Sequence, residues 1–477
     1  MTREAFQRGH RRSVAWGVLV VAGMATLFPA GSGFSDEGDM TKYLALDSRL
    51  VESTENARLT VGTVTKYEGN PLFVEDKPWE PRFDNLYANV LYDEEERRYK
   101  CWYSPFIRDP VVTDTPREQQ GQVRYRPHDR VMGVCYATSK DGVHWDKPLM
   151  DIREFDGQNS NLVDIGPHGA GVFKDLRETD PARRYKMFFV EAAMSVSFPP
   201  DGLHWGEPIA CPQINAKGDT HNNALWAPEL GKYVAITRLW DKVRQVGRTE
   251  SADFVHWTKA EVVLQGQEKH LQTYAMPVFR HEGVYLGLPV IFNTKTDRTH
   301  TELAWSPDTI MWHRVDPGTP LIPNAEEEDA YDWGCVYAAA YPVILDDEIR
   351  LYYGGSNGPH TNWRDGFFCL ATLRPDGFAG YAAETPGEPA IVTTVPLALG
   401  AGKVRVTADV ADGGMVGVRV IDGTGRVCAN SEPLTNSATD TAVVWTSPSA
   451  EMEKNGKDLR LRFTLRNATL YAFALGG

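Results

Sequence analysis

The chain has no Cys-x-x-Cys pair among its six cysteines, no HExxH, no Walker-type phosphate loop and no Rossmann glycine pattern. Those gaps remove the usual signatures of small zinc modules, zincin proteases, P-loop enzymes and dinucleotide-binding enzymes. Beyond residue 33 no apolar run approaches the roughly 20 residues that a membrane-spanning helix takes. Positive charge is also short: 50 Lys and Arg stand against 64 Asp and Glu, a formal net of −14. A nucleic-acid binder or a protein held on an anionic membrane needs the opposite balance. The cysteines (101, 135, 211, 335, 369, 428) are scattered, several inside apolar runs such as "YKCWYS". They read as small buried hydrophobes.

What is plentiful is glycine and tryptophan, 42 and 13 residues, the composition of many short strands and tight turns. Residues 1–33 stand apart. Arg3, Arg8, Arg11 and Arg12 precede "VAWGVLVVAGMATLF" and the small residues of "PAGSG". This is the layout of a signal peptide and predicts an exported protein, periplasmic or extracellular. Its four arginines and one glutamate leave about −17 for the rest of the chain.

A turn then recurs: "SKDGVHW", "PPDGLHW", "SADFVHW" and "SPDTIMW" end at Trp145, Trp205, Trp257 and Trp312, spaced 60, 52 and 55 residues apart. Asp141, Asp201, Asp253 and Asp308 each lie four residues before the Trp; "RPDGFAGY", with Asp376 and Tyr381, is a degenerate fifth copy. Upstream of each lies a hairpin pattern, for example "NVLYDEEERRYKCWYS" and "ALWAPELGKYVAITR". Four antiparallel strands at a period near 50 residues make a propeller blade. Four copies around a ring cannot meet one substrate, so the Asp is expected to cap its own turn and the Trp to pack between blades.

The reading is all-β: a five-bladed β-propeller over 42–384 and a small β-sandwich over 385–477, joined at "ETPGEPA". Strict alternation in "KVRVTADV", "MVGVRVID" and "LRLRFTLR" carries the second domain. Residues 41–69 are expected to form an edge strand and lead-in, and 106–130 an insertion loop, either a lid or binding loop or a disordered segment.

Five such blades and a β-sandwich resemble the five-bladed propeller glycoside hydrolases, families 32, 43, 68, 117 and 130. "LRFTLRNATLYAFAL" is similar to the tail module of family 32 enzymes. "NPLFVEDKPWE" followed by "VLYDEEERRYKCWYS" resembles an exported bacterial branch of this group. The chain departs from family 32 by having "RFDNLYANV" where a W-M-N-D-P-N-G-type motif belongs, and by lacking R-D-P and E-C-P motifs. Asp175 in "VFKD" aligns with Asp93 in a hairpin turn and is expected to point outward. Sialidase Asp boxes have one more residue between Asp and Trp.

The resemblance implies an exported glycoside hydrolase that cleaves a plant or algal oligo- or polysaccharide at the mouth of the funnel, where the innermost strands begin. Counting back from those strands gives Asp84 and Asn85; Asn161 and His168; Asp219, His221 and Asn222; Gln272 and Tyr274, with Glu268 upstream; and Asp332. Sugar hydroxyls need paired donors and acceptors, and glycosidic cleavage needs two carboxyls, one of them protonated. The resemblance implies Asp84 as nucleophile or general base. Asp219 follows as a transition-state stabiliser or a partner that tunes the acid. For the acid, Asp332, Glu268, Glu229 and His221 stay open. A sugar-binding propeller without activity, and a phosphorylase or transglycosylase drawing on Arg82, Arg238, Arg244 or Arg248, are the alternatives. The chain is expected to be a monomer without cofactor; a cation in the funnel would have no nameable ligand set.

Overall fold

The computed structural model describes residues 40–399, 402–446 and 458–476. The expected signal peptide, 1–33, lies outside the described residues. From residue 39 on, the chain groups as one compact unit.

The fold is all-β with a propeller-like arrangement. Four blades are separate antiparallel sheets. The first holds Arg82–Asp93, Arg98–Arg108, Val131–Ser139 and Leu162–Ile165. The second holds His168–Lys174, Tyr185–Val190, Met194–Ser197 and Ile209–Ala210. The third holds Asn223–Ala227, Lys232–Asp241, Val243–Ser251 and Glu261–Gln265. The fourth holds Val278–His281, Val284–Gly287, Leu303–Ser306 and His313–Val315. The strands expected next, Cys335–Ala338, Ile349–Ser356 and Gly366–Leu373, pair in order and continue into Thr65–Lys66. They are not a separate sheet, because Arg298–Thr301 joins them through a parallel bridge from Thr299 to Cys335.

Hydrogen bonds stitch the innermost strands into a ring. Asn89 of the first blade donates to Ala170 O (2.7 Å) and accepts from Val172 N (3.1 Å) of the second. Asn222 Nδ2 donates to Gly169 O (3.0 Å), and Asn223 Nδ2 reaches Val278 O of the fourth blade (2.9 Å). Ala340 N closes the circuit on Ala88 O at 2.8 Å. Buried amides without such partners would each cost about 1–3 kcal/mol.

The recurrent turn clips neighbouring blades together from outside. In every copy the Asp Oδ1 accepts the backbone N–H groups two and three residues on, at 2.8–3.0 Å. The turn then receives a side chain from the preceding blade: Trp102 Nε1 on Gly202 O (2.7 Å), Arg248 Nε on Thr309 Oγ1 (2.8 Å). Tyr352 from the last strands meets Gly142 O of the first turn at 2.8 Å, so the ring is closed. Asp376 departs from the pattern. It pairs with Lys42 (3.1 Å) and accepts from Thr407 (3.1 Å).

The hairpin acids do not point outward. Asp93 is buried between Lys100 (2.9 Å) and Lys174 (3.0 Å) and accepts the Tyr185 hydroxyl at 3.0 Å. Asp175 is buried with Lys186 (3.2 Å) and the Tyr233 hydroxyl (2.6 Å). Glu229, in the third hairpin, holds Arg280 (2.6 Å) and the Tyr285 hydroxyl (2.5 Å). Each acid thus reaches a tyrosine of the following blade, a link that local sequence spacing does not reveal.

The C-terminal strands Val404–Ile421 and Arg460–Gly476 pair along most of their length in another nine-stranded sheet. The lead-in is woven into that sheet rather than lying on the blades. Met40–Leu44 pairs with Arg460–Gly476, Val51–Glu55 with Ala390–Thr394, and Ala57–Val61 with Ala379–Ala383. Alternating Val416, Val418, Val420, Phe463 and Leu465 fill its core. Cys101, Cys135, Cys211, Cys335 and Cys369 are free and buried, and Cys428 is buried as well.

Candidate functional site

The first strand of the first blade contains an unusual backbone. Asn85, Leu86 and Tyr87 all have positive φ, 53°, 62° and 42°, a region that costs non-glycine residues about 1–2 kcal/mol each. The register against Arg98–Arg108 slips on both sides of Leu86. Side chains hold the distortion: Asn85 Nδ2 donates to the Tyr87 hydroxyl (2.8 Å), Arg364 donates to Asn85 Oδ1 (2.6 Å), and Asn89 Nδ2 reaches Tyr87 O (3.1 Å). Such strain gathers where a side chain has to be aimed. Immediately before it, Asp84 lines a cavity of about 580 Å³ shared with His168, Asp219, Tyr274 and His360.

His168 stands between two carboxylates. Its Nε2 is 2.8 Å from Asp84 Oδ2 and 3.4 Å from Asp219 Oδ1, which sets the two carboxylate oxygens within about 6 Å of each other. The contact with Asp84 is an ion pair rather than an aligned hydrogen bond, since both atoms are buried without a directed partner. Burial opposes the charge of Asp84, yet His168 and, further off, Arg130 and Arg364 hold its pKa below the ordinary value. Burial likewise works against an imidazolium, but Asp84 and then Asp219 raise the pKa of His168 above the usual 6.5. Asp219, half exposed, is also gripped by Arg238.

Two further segments complete the walls. The insertion 106–130 is ordered, with short helices Pro110–Asp114 and Arg117–Gln120. Tyr125 is buried under it, with its hydroxyl on Asp109 and the Arg82 guanidinium stacked over its ring at 4.2 Å. The loop 357–365 supplies His360, Thr361 and Arg364, and Asp297 pins it through Thr361 N at 3.0 Å. Trp363 Nε1 donates to Val123 O (2.7 Å) and Arg117 pairs with Asp365 (2.9 Å), so the insertion rests on this loop. Burial and the charges of Arg364, Arg244, Arg82 and Arg238 push His360 well below the usual value, leaving it neutral.

Of the residues expected at the site, Asp84, His168, Asp219 and Tyr274 line the cavity. Gln272 stands one layer back and accepts from Arg244 at 2.8 Å. Asn85 is buried behind the wall, holding Arg364. The structure places the others elsewhere. Asp332 is fully buried against Lys66 (2.6 Å) and the Tyr353 hydroxyl (2.9 Å). Glu268 is exposed, 3.1 Å from His270. Asn161 is buried among Trp79, Tyr103 and Tyr136 O, and Asn222 braces Gly169 O. His221 Nε2 is bonded to Asn89 Oδ1 (3.1 Å), and burial lowers its pKa to about 3, so the ring is neutral and sealed away from the cavity. Arg248 pairs with Glu250 at 2.9 Å, outside the cavity. His360, Arg364 and the lid arginines Arg124, Arg126 and Arg130 line the cavity without having been singled out in sequence. Their only sequence signal is the long polar loop "SNGPHTNWRD" between two apolar strands and the arginine-rich end of the insertion.

A larger cleft of about 720 Å³ lies between 40–50 and 280–284. Its charges are paired within it or beside it, Arg49 with Asp47 and Lys42 with Asp376. His281, Glu282 and Asp376 come close enough to share a cation, but the Lys42 ammonium already occupies Asp376.

No protein-family model and no curated protein sequence matches the chain. Solved structures do resemble it, and these neighbours are glycoside hydrolase-like propeller proteins. BT0996, solved as an RGII complex, is 16% identical, with 66% of this protein and 93% of that one covered and a TM-score of 0.45. A glycosyl hydrolase from Bacteroides ovatus is 14% identical over 66% and 95%, at 0.43. The β-1,2-mannobiose phosphorylase of Listeria innocua, in complex with β-1,2-mannobiose, is 15% identical over 65% and 96%, at 0.44.

Proposed function

We propose that the chain is an exported glycosidase, built as a five-bladed propeller with a C-terminal β-sandwich, that cleaves a glycosidic bond of an oligo- or polysaccharide in this cavity. The observation that carries the reading is the pair of carboxylates within about 6 Å, bridged by one imidazolium. Asp84, buried and ionised, is the nucleophile or base. The leaving oxygen needs a proton, and His168, kept charged by both carboxylates, supplies it with Asp219 holding the ring. Tyr274, Phe106 and Tyr125 line the same cavity.

The test is sugar release from a broad glycan panel in phosphate-free buffer, wild type beside Asp84→Asn, with the product anomer read by NMR. Release by wild type alone supports the reading; equal release by both proteins overturns it. The arginines of the wall favour a second reading, phosphorolysis, and a strict need for phosphate with formation of a sugar 1-phosphate would select it.

A further inference from the structure

We propose that the sugar taken by this cavity carries an oxyanion, a uronate carboxylate or a sulfate ester, and that Arg82, Arg244 and Arg364 bind it. The inference rests on the cleavage reading above, in which hydrolysis itself consumes no anion and the surplus of positive charge is left for the substrate.

The surplus is local, in a chain that is acidic overall. Six arginines line the cavity against two aspartates, and both aspartates are engaged, Asp84 with His168 and Asp219 with Arg238. Arg82 is 3% exposed. It donates to the Asn362 carbonyl at 2.9 Å, while its Nη1 is buried without a partner. Arg244 donates to Gln272, stacks 5.0 Å from the rings of Tyr274 and Phe292, and has a buried, unpartnered Nε. Arg364 bonds Asn85 Oδ1 (2.6 Å) and Cys335 Sγ (3.4 Å). Among the described residues none of the three has a carboxylate within ion-pair distance.

Buried cations are ordinarily paired, because desolvating a lone charge costs several kcal/mol. Elsewhere this chain obeys that rule: Lys100 has Asp93, Lys186 has Asp175 and Arg314 has Glu302. Behind Arg82, Glu75 does not supply the missing charge, since burial pushes its pKa to about 8 and keeps it protonated. Burial and the nearby Arg364 bring Arg82 itself down to about 10. Two like charges are thus held together in the cavity wall, where Arg82 and Arg244 each keep a buried N–H without a partner. Guanidinium forks match planar and tetrahedral oxyanions through paired hydrogen bonds. Arg130, on the lid, stacks over Phe106 at 3.9 Å without an ion pair and adds charge from above.

The experiment measures binding to Asp84→Asn full-length protein, so that it does not depend on turnover. The probes are matched pairs: oligogalacturonates and their methyl esters, sulfated oligosaccharides and their desulfated forms, plus inorganic phosphate alone. The expected result is that at least one charged probe binds about tenfold or more tightly than its neutral partner. That preference should weaken with salt and be lost in Arg244→Gln. Arg130→Gln, at an exposed position where it breaks no ion pair and loses only the stacking on Phe106, should reduce it while the unfolding midpoint stays near that of the parent. The uronate and sulfate arms tell which oxyanion is read. Neutral and charged partners binding alike, no pair binding at all, or binding of free phosphate alone would each overturn the proposal. A wild type that binds charged sugar selectively yet cleaves nothing would instead sink the glycosidase reading.

Discussion

The Nε2 of His168 and the Oδ2 of Asp84 lie 2.8 Å apart in a buried ion pair at the floor of the cavity. The two groups start neighbouring blades, so the pair forms only when those blades close on each other. It favours the charged form of both partners, lowering the pKa of the carboxyl and raising that of the imidazole. Asp219 on the other side strengthens the second half of that statement.

Replacing Asp84 by Asn keeps shape and removes the charge. Turnover should fall by at least about a hundredfold, with sugar binding retained in calorimetry. A variant with wild-type kcat would remove Asp84 from the chemistry.

The pH profile follows from the two shifts. Asp84 has to be ionised, and its pKa lies below the ordinary 3.8; His168 has to be protonated, and its pKa lies above 6.5. As pH falls, kcat/KM should hold until below the usual Asp range. As pH rises, it should fall only above 6.5, where His168 loses its proton. An alkaline limb centred at or below 6.5 would count against His168 as the donor, and His168→Asn should abolish that limb altogether.

Glu268 and Asp332 should separate cleanly. Glu268 is exposed and away from the cavity, so Glu268→Gln should leave kcat/KM within a factor of about two, as surface changes do. Asp332→Ala leaves the buried Tyr353 hydroxyl without its acceptor and removes the partner of half-buried Lys66, and should cost about 1–3 kcal/mol in denaturant unfolding. Loss of activity in a stably folded Glu268→Gln protein would return that residue to the mechanism.

Trp205 is 7% exposed and packs with Trp102 and Tyr185 where the second turn meets the first blade. Trp205→Ala should destabilise by about 3–5 kcal/mol, read as a lower midpoint in chemical denaturation with the catalytic residues untouched. An unchanged midpoint would mean the turn does not clip the blades.

Much of this was legible because it is local. A turn Asp binding its own backbone and a hairpin of alternating residues write themselves into short windows, so the four repeats, Asp84, Asp219 and His168 could be found by counting. The donor role proposed for His168 could not. Asp332 and His221 also begin or precede inner strands, and only packing shows one locked to Lys66 and the other sealed against Asn89. Arg364 was invisible for a similar reason: its partner Asn85 is 279 residues away. The distortion at Asn85, Leu86 and Tyr87 carries no glycine to announce it.

The pairing of early strands with late ones has a consequence for how the molecule is made. Arg460–Gly476 is the strand on which Met40–Leu44, Ala390–Thr394 and Val404–Ile421 all pair. Thr65–Lys66 likewise waits for Gly366–Leu373. Met40–Leu44 and Thr65–Lys66 are therefore synthesised long before their partners and stand with open edges until those emerge, the state in which chains stick to one another. A chain cut short before residue 460 keeps its blades' sequence but loses the strand that gathers those three.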